Sequence, residues 1–187
     1  MSFRWRILDE AITYSGRQLR FGWVYRQTGL HGDAAAVFVG PCNVATEDLV
    51  DLDDRRAGET IVAARMLHVI IEHGDCPIRV GVLRQRLLVC ILCEALRARG
   101  VETQRRGDDV FVGDRKLTVS IAAPSTTACL IHLGVNDDAS GAPVAAVGLA
   151  ELGVDVRELA GVVMSNYESE LNSALHAETK VCEVGDD

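Results

Sequence analysis

A lysine at 116, hydroxyls at 118 and 120, an imidazole at 132 and an amide at 136 are the side chains of this 187-residue sequence best suited to act together. They lie in two alternating segments. In Lys116-Leu117-Thr118-Val119-Ser120-Ile121, the polar residues take the even positions and the apolar ones the odd positions. In 129–136, Cys129, Ile131, Leu133 and Val135 form one face, and His132, Gly134 and Asn136 the other. Period-two alternation marks half-buried β-strands. A hairpin across 123–127 would set Thr118 opposite His132 and Lys116 opposite Gly134, gathering the polar groups on one face. Glycine inside a strand costs stability unless something must approach closely, which fits a site at Gly134. An ammonium there would neutralise a carboxylate or phosphate, or the negative charge that develops during acyl transfer.

Gly113-Asp114 is a two-residue turn that folds 109–112 back onto 115–118, with glycine supplying the positive φ. Phe111 then faces Lys116, and Asp109 faces Thr118, adding a carboxylate to the polar face. Arg106-Gly107-Asp108-Asp109 reads either as a strand entry with a turn or as a polar rim of that face, which would bring in Arg106. The candidate site is therefore Lys116 as the catalytic group, with Asp109, Thr118, Ser120, His132, Gly134, Asn136 and Arg106 binding substrate.

Other clusters read as structure. Cys90-Ile91-Leu92-Cys93 has C-x-x-C spacing but sits in an apolar helical stretch without further ligands, so both thiols are read as core. No metal-ligand set is assigned. His68 and His73, flanking Glu72, are too far apart for a His-Glu-x-x-His pair on one helix face. The acidic run 47–54 reads as a loop whose aspartates favour a helix N-terminus. The rival reading is a Mg²⁺-assisted phosphate site built from Asp51, Asp53 and Asp54, since that cation prefers oxygen ligands.

Several elements must hold these residues in place. Short strands are expected at 4–8 and 21–25, and a buried strand at 34–39 ends at Gly40-Pro41. Helices are expected at 57–73, on the spacing of Val62, Met66, Val69 and Ile70, and at 82–99 before Gly100. Strands follow at 101–106, 109–112, 115–122 and 128–136, with a short one at 144–149. A last helix at 156–177 carries Leu159, Val163, Tyr167, Leu171 and Ala174 on one face. This order predicts an α+β fold: a mainly antiparallel sheet with helices packed on one side. The length suits a single domain over 1–187.

A net charge of −8 argues against general nucleic-acid binding, which needs clustered Lys and Arg. No run of 18 apolar residues offers a membrane span, and residues 1–10 carry no apolar leader. The expectation is a cytoplasmic protein with six reduced cysteines. Its partner would be a small molecule, and a homodimer is the default assembly.

Some of these segments resemble a known family. Asp51-Leu52-Asp53-Asp54, Met66-Leu67-His68 with Glu72-His73, Gln85-Arg86, Arg106-Gly107-Asp108-Asp109, Lys116–Ala122 and Ile131–Asn136 are similar to domain-of-unknown-function family 366, of archaea and some bacteria. The resemblance spans about 35–175. It implies a fold similar to the catalytic domain of biotin and lipoate protein ligases, itself related to class II aminoacyl-tRNA synthetases. Those ligases carry a strand lysine in a Lys-Ile/Leu-x-Gly/Ser pattern that contacts the acyl carboxylate or its adenylate, and Lys116-Leu117-Thr118-Val119-Ser120 looks like that element. His132-Leu133-Gly134-Val135-Asn136 is similar to the His-Gly-x-x-Leu-Asn strand of the octanoyl transferases. The resemblance thus implies a ligase- or acyltransferase-like enzyme that binds a carboxylate-containing or nucleotide-like ligand. Two departures stand beside it. The ligases' Arg-Arg-x-x-Gly-Gly-Gly loop has no counterpart here, so ATP with Mg²⁺ lacks its usual glycine-rich support. The transferases' nucleophilic cysteine is missing, because 137–155 contains no Cys. A non-catalytic ligand-binding or regulatory module is accordingly the alternative.

Overall fold

A computed structural model describes residues 2–74 and 76–185. Its centre is β3 (Ile61–Gly74), a strand of 14 residues. On one side it pairs antiparallel with β2 (Ala34–Val44), and on the other with β8 (Ala128–Asp138). At the two edges, β1 (Arg4–Ile7) runs parallel to β2, and β7 (Thr118–Pro124) runs antiparallel to β8. The sheet order is β1-β2-β3-β8-β7. A smaller sheet joins β4 (Gln104–Arg106), β5 (Asp109–Val112) and β6 (Arg115–Lys116). The fold is α+β, with an antiparallel-dominated sheet.

The helix expected at 57–73 is instead β3. Met66 through His73 are all buried, because this strand is covered on both faces. Such strands read as continuous apolar runs rather than alternating ones, and that run happens to match helical spacing. The strand expected at 21–25 is likewise a helix, α1 (Trp23–Thr28), flanked by Gly22 and Gly29 at positive φ.

One sheet face is dry and aliphatic. Leu67, Val69, Ile71, Ile131, Leu133 and Val135 meet α3 (Ile78–Arg97) and α4 (Val156–Thr179) there. α3 presents Leu88, Leu92 and Leu96, and α4 presents Leu159, Val163, Tyr167 and Leu171, each at helical spacing. Ala174 lies beyond the buried stripe. Cys93 is buried on α3 and Cys90 half-buried. The opposite face packs Phe38, Met66 and Ile70 against Tyr14, Trp23 and Val24. Both long helices therefore cover one face, and α1 with its neighbouring loops covers the other. No helix among the described residues is long and apolar enough to cross a membrane.

The hairpin of β7 and β8 differs from expectation in register. Ala123 and Pro124 join the ladder, with Pro124 opposite Cys129, so four residues (Ser125-Thr126-Thr127-Ala128) separate the last paired positions instead of the expected five. Thr118 then opposes Val135, and Ile121 opposes His132. This odd shift moves Thr118 and Ser120 to the face opposite His132, since side chains alternate along a strand. The tight turn at Gly113-Asp114 places Phe111 opposite Lys116 as predicted, with Gly113 at φ 58°. The expected strand at 144–149 reduces to a single bridge between Ala146 and Lys116.

Candidate functional site

Lys116 is held by its backbone from three directions. Its N–H donates to the Ala145 carbonyl at 2.9 Å, and its own carbonyl accepts from the Val147 N–H at 3.0 Å. The same carbonyl accepts from the Asn136 side-chain amide at 3.2 Å. The free end is aimed by charge, with Lys116 Nζ 2.9 Å from Asp109 Oδ2. Both side chains remain about a third exposed, 29% and 31%.

The hairpin carrying Asp109 is itself anchored. Gln85 of α3 donates to Asp108 Oδ2 at 3.0 Å and to Ser120 Oγ at 2.7 Å. Arg86 lies 3.0 Å from Asp108 Oδ1. Gly107, at φ 68°, leaves room for that guanidinium; a Cβ there would meet Arg86 Nη1 at 2.8 Å. A side chain at 107 would thus strain the backbone and push the arginine away.

Lys116 opens onto a cavity of about 280 Å³ bounded by the sheet's second face, the acidic segment and the 142–146 loop. The cavity wall includes Lys116, Asp109, Thr118, Ser120, His132 and Asn136. Their roles differ from the expected single polar face. Thr118 is fully buried, and its Oγ1 accepts from the Val110 N–H at 2.9 Å. Ser120 turns toward α3 and Asp108, and Asn136 serves the Lys116 backbone. Gly134 does not line the cavity; a Cβ there would meet Met66 Cε at 2.8 Å and Val119 Cγ2 at 3.0 Å, so the close approach is by neighbouring side chains. Arg106 also stands apart: it is exposed on the small sheet with its guanidinium 4.6 Å from the Phe111 ring.

Two residues that shape the site escaped the sequence reading: Tyr14 on the cavity wall and His68 behind His132. Tyr14 stacks on His132 with ring centroids 3.8 Å apart. Its segment crosses Gly40, where a Cβ would strike the Ile12 carbonyl oxygen at 2.1 Å, so only glycine admits it. His68 reaches His132 from β3, its Nδ1 lying 3.1 Å from His132 Nε2. Nothing local marks Tyr14. His68 had only its place in the family-like Met66-Leu67-His68 segment as a signal.

The imidazole pair has a defined direction. His68 Nε2 lies 3.3 Å from the Gly40 carbonyl, which can only accept. His68 Nε2 therefore carries the proton, and its Nδ1 accepts from His132 Nε2–H. That leaves His132 Nδ1 as a lone-pair acceptor, without a protein partner among the described residues. Burial keeps both rings neutral: it lowers His68 to about 4, and it pushes His132 well below the usual histidine range, with His68 adding to the effect.

The acidic segment forms the far wall. Asp51 caps α2 (Leu52–Ala57), accepting from the Asp53 and Asp54 N–H groups. Asp53 points outward to Arg56 at 3.0 Å. Asp54 and Glu59 line the cavity. Burial raises Asp54's carboxyl first, followed by Asp51 and Glu59, and Lys116 partly opposes them. Among the described residues, no three His, Cys, Asp or Glu side chains are grouped to hold a metal. With Asp51 capping and Asp53 facing solvent, this geometry does not assemble the three-aspartate Mg²⁺ site.

Residues 3–182 match the family described as "Domain of unknown function (DUF366)". An uncharacterised protein of Methanocaldococcus jannaschii is 31% identical over 172 residues, covering 88% of this chain and 78% of that protein. A solved protein of unknown function from Pyrococcus horikoshi has a TM-score of 0.92 and 36% identity, covering 98% of this chain and 100% of the other. The biotin protein ligase of Aquifex aeolicus, solved with biotin and ATP, has a TM-score of 0.60 at 15% identity, covering 89% and 69%. A bi-partite lipoate protein ligase of Thermoplasma acidophilum has a TM-score of 0.56 at 14% identity, covering 92% and 84%. At such identities the ligases share the fold.

Proposed function

The chain belongs to domain-of-unknown-function family 366, built on the biotin/lipoate-ligase fold, and from that premise we propose that its cavity binds a small carboxylate-containing or nucleotide-like molecule at Lys116. The observation that carries this reading is Lys116 itself. It is the cavity's one cationic side chain among the described residues, and its main chain is pinned by Ala145, Val147 and Asn136. A point charge fixed on rigid backbone and poised beside a carboxylate is preorganised to receive an anion without rearrangement.

The reading extends to catalysis of a ligase- or acyltransferase-like kind, in which Lys116 neutralises the charge that builds on the acyl group. Asp109 orients the ammonium, and His132 offers an acceptor. Thr118, Ser120 and Asn136 support the elements that hold Lys116 and Asp109. A second reading, a ligand-binding module without chemistry, is favoured by Gly107-Asp108. This turn is occupied in anchoring Arg86, and no glycine-rich phosphate loop stands in its place.

Calorimetric titration of the chain with octanoate, lipoate, biotin and ATP tests the binding, and ATP–pyrophosphate exchange with each acid tests the chemistry. Saturable binding weakened by Lys116→Met is expected. Exchange above background would remove the non-catalytic reading. Absence of any Lys116-dependent binding would remove the proposal.

A further inference from the structure

The cavity's negative groups exceed what its own cations satisfy. Six carboxylates of the described residues line it, and most are engaged. Asp48 pairs with Arg17 at 3.4 Å, Asp51 caps α2, Asp108 is held by Gln85 and Arg86, and Asp109 by Lys116. Asp54 and Glu59 remain, and neither side chain has an ion pair or hydrogen bond among the described residues. Glu59 is exposed, but Asp54 is half-buried among like charges.

A second and independent feature lies on the same cavity. His132 is only 3% exposed, yet its Nδ1 lacks a protein partner among the described residues while its Nε2 is committed to His68. His132 Nδ1 is not one of the fully buried, unpartnered polar atoms, so it is open to the cavity, where a ligand's N–H or O–H can reach it. Together the wall offers one ammonium, two unengaged carboxylates and one neutral acceptor. A simple fatty acid or a bare phosphate would use only the first of these.

Building on the anion site at Lys116, we infer that the cavity takes an amino-acid-like zwitterion: its carboxylate on Lys116, its protonated amine on Asp54 with Glu59, and an N–H or O–H donor on His132 Nδ1. Lys116 acts on Asp54 as well, so the ammonium and the ligand's amine share the cavity's excess of carboxylates. The amine in turn relieves the repulsion among Asp51, Asp54 and Glu59.

The test is a calorimetric titration of the full chain with unbranched ω-amino acids from glycine to 8-aminooctanoate. Each is set against the unaminated acid and the amine of the same length. At one length, the amino acid should bind about tenfold or more tightly than the acid, a difference expected of one charge-assisted contact. Asp54→Asn should erase that preference while leaving acid binding unchanged or stronger, and Glu59→Gln should reduce it in part. A urea midpoint for each variant establishes that it is folded. Acids that bind as tightly as amino acids at every length would overturn the inference and leave the Lys116 site standing. So would a preference that survives in folded Asp54→Asn. Absence of Lys116-dependent binding by any compound would instead remove the site and the inference with it.

Discussion

Two imidazole relays start from opposite faces of β3 and end differently. On the helix face, His73 Nδ1–H donates to Asp33 at 2.8 Å, and its Nε2 accepts from the Tyr167 hydroxyl at 3.0 Å. Asp33 also accepts from the Gly74 N–H at 2.9 Å, and Phe3 packs edge-on against Tyr167. Both ends of this chain are closed. On the other face, the relay begins at the Gly40 carbonyl, passes through His68 and stops at His132 Nδ1, with the cavity beyond. His68 and His73 are five residues apart, an odd spacing that puts them on opposite faces of a strand. The contrast separates a polar network that locks α4 to the sheet from one that presents an acceptor to a ligand.

The largest expected effect is on stability against pH. The unfolded chain takes up histidine protons near pH 6.5, while burial makes His68 refuse them until about 4 and holds His132 well below its usual range too. Between pH 6.5 and 4 the unfolded state therefore binds more protons, and stability falls as pH falls by ~1.4 kcal/mol per unit for each such histidine. Burial lowers His73 too, but Asp33 opposes the shift, so its share is smaller. Asp33, whose carboxyl His73 and Arg84 hold low, loses its contribution only below its usual range. Urea midpoints across pH 7.5 to 4.5 should fall steeply, and His132→Phe should flatten the curve by about one histidine's share. An unchanged slope in that variant would mean the open relay is not held neutral.

Next in size is Tyr167→Phe. It leaves His73 Nε2 buried without a donor, at a cost of about 1–3 kcal/mol in denaturant unfolding, with ligand affinity unchanged. His132→Phe should behave oppositely on affinity, keeping the stack on Tyr14 but weakening binding. Equal effects of the two variants on affinity would erase the distinction between closed and open relays. The smallest expected effect is that of Gln85→Leu, which removes the Gln85 bonds to Asp108 and Ser120 while the Arg86 ion pair with Asp108 remains. It should cost about 1 kcal/mol and weaken ligand binding only modestly, through a looser Asp109 hairpin.

The local parts of this arrangement were legible in the amino-acid order. The turn at Gly113-Asp114 sets Phe111 against Lys116 within six residues, and Asp109 arrives beside the lysine with it. The α+β class followed from the sequence of elements. What could not be read depended on distant chain. His68 was hidden because β3, buried on both faces, lacks the alternation that identifies a strand. Tyr14 reaches His132 only because Gly40 lets its segment cross β2. Thr118 and Ser120 were assigned to the wrong face because Ala123 and Pro124 extend the β7–β8 ladder, and a shorter connection shifts the register by an odd number.

The most direct test is calorimetric titration of the wild-type chain and Lys116→Met with the best-binding acid of the panel. An ion pair about a third exposed contributes little to folding, so the variant should keep its urea midpoint. It should bind the acid about tenfold or more weakly, as loss of a charge-assisted contact implies. Equal affinity in the two proteins, or no saturable binding of any acid to the wild type, would contradict a ligand site centred on Lys116.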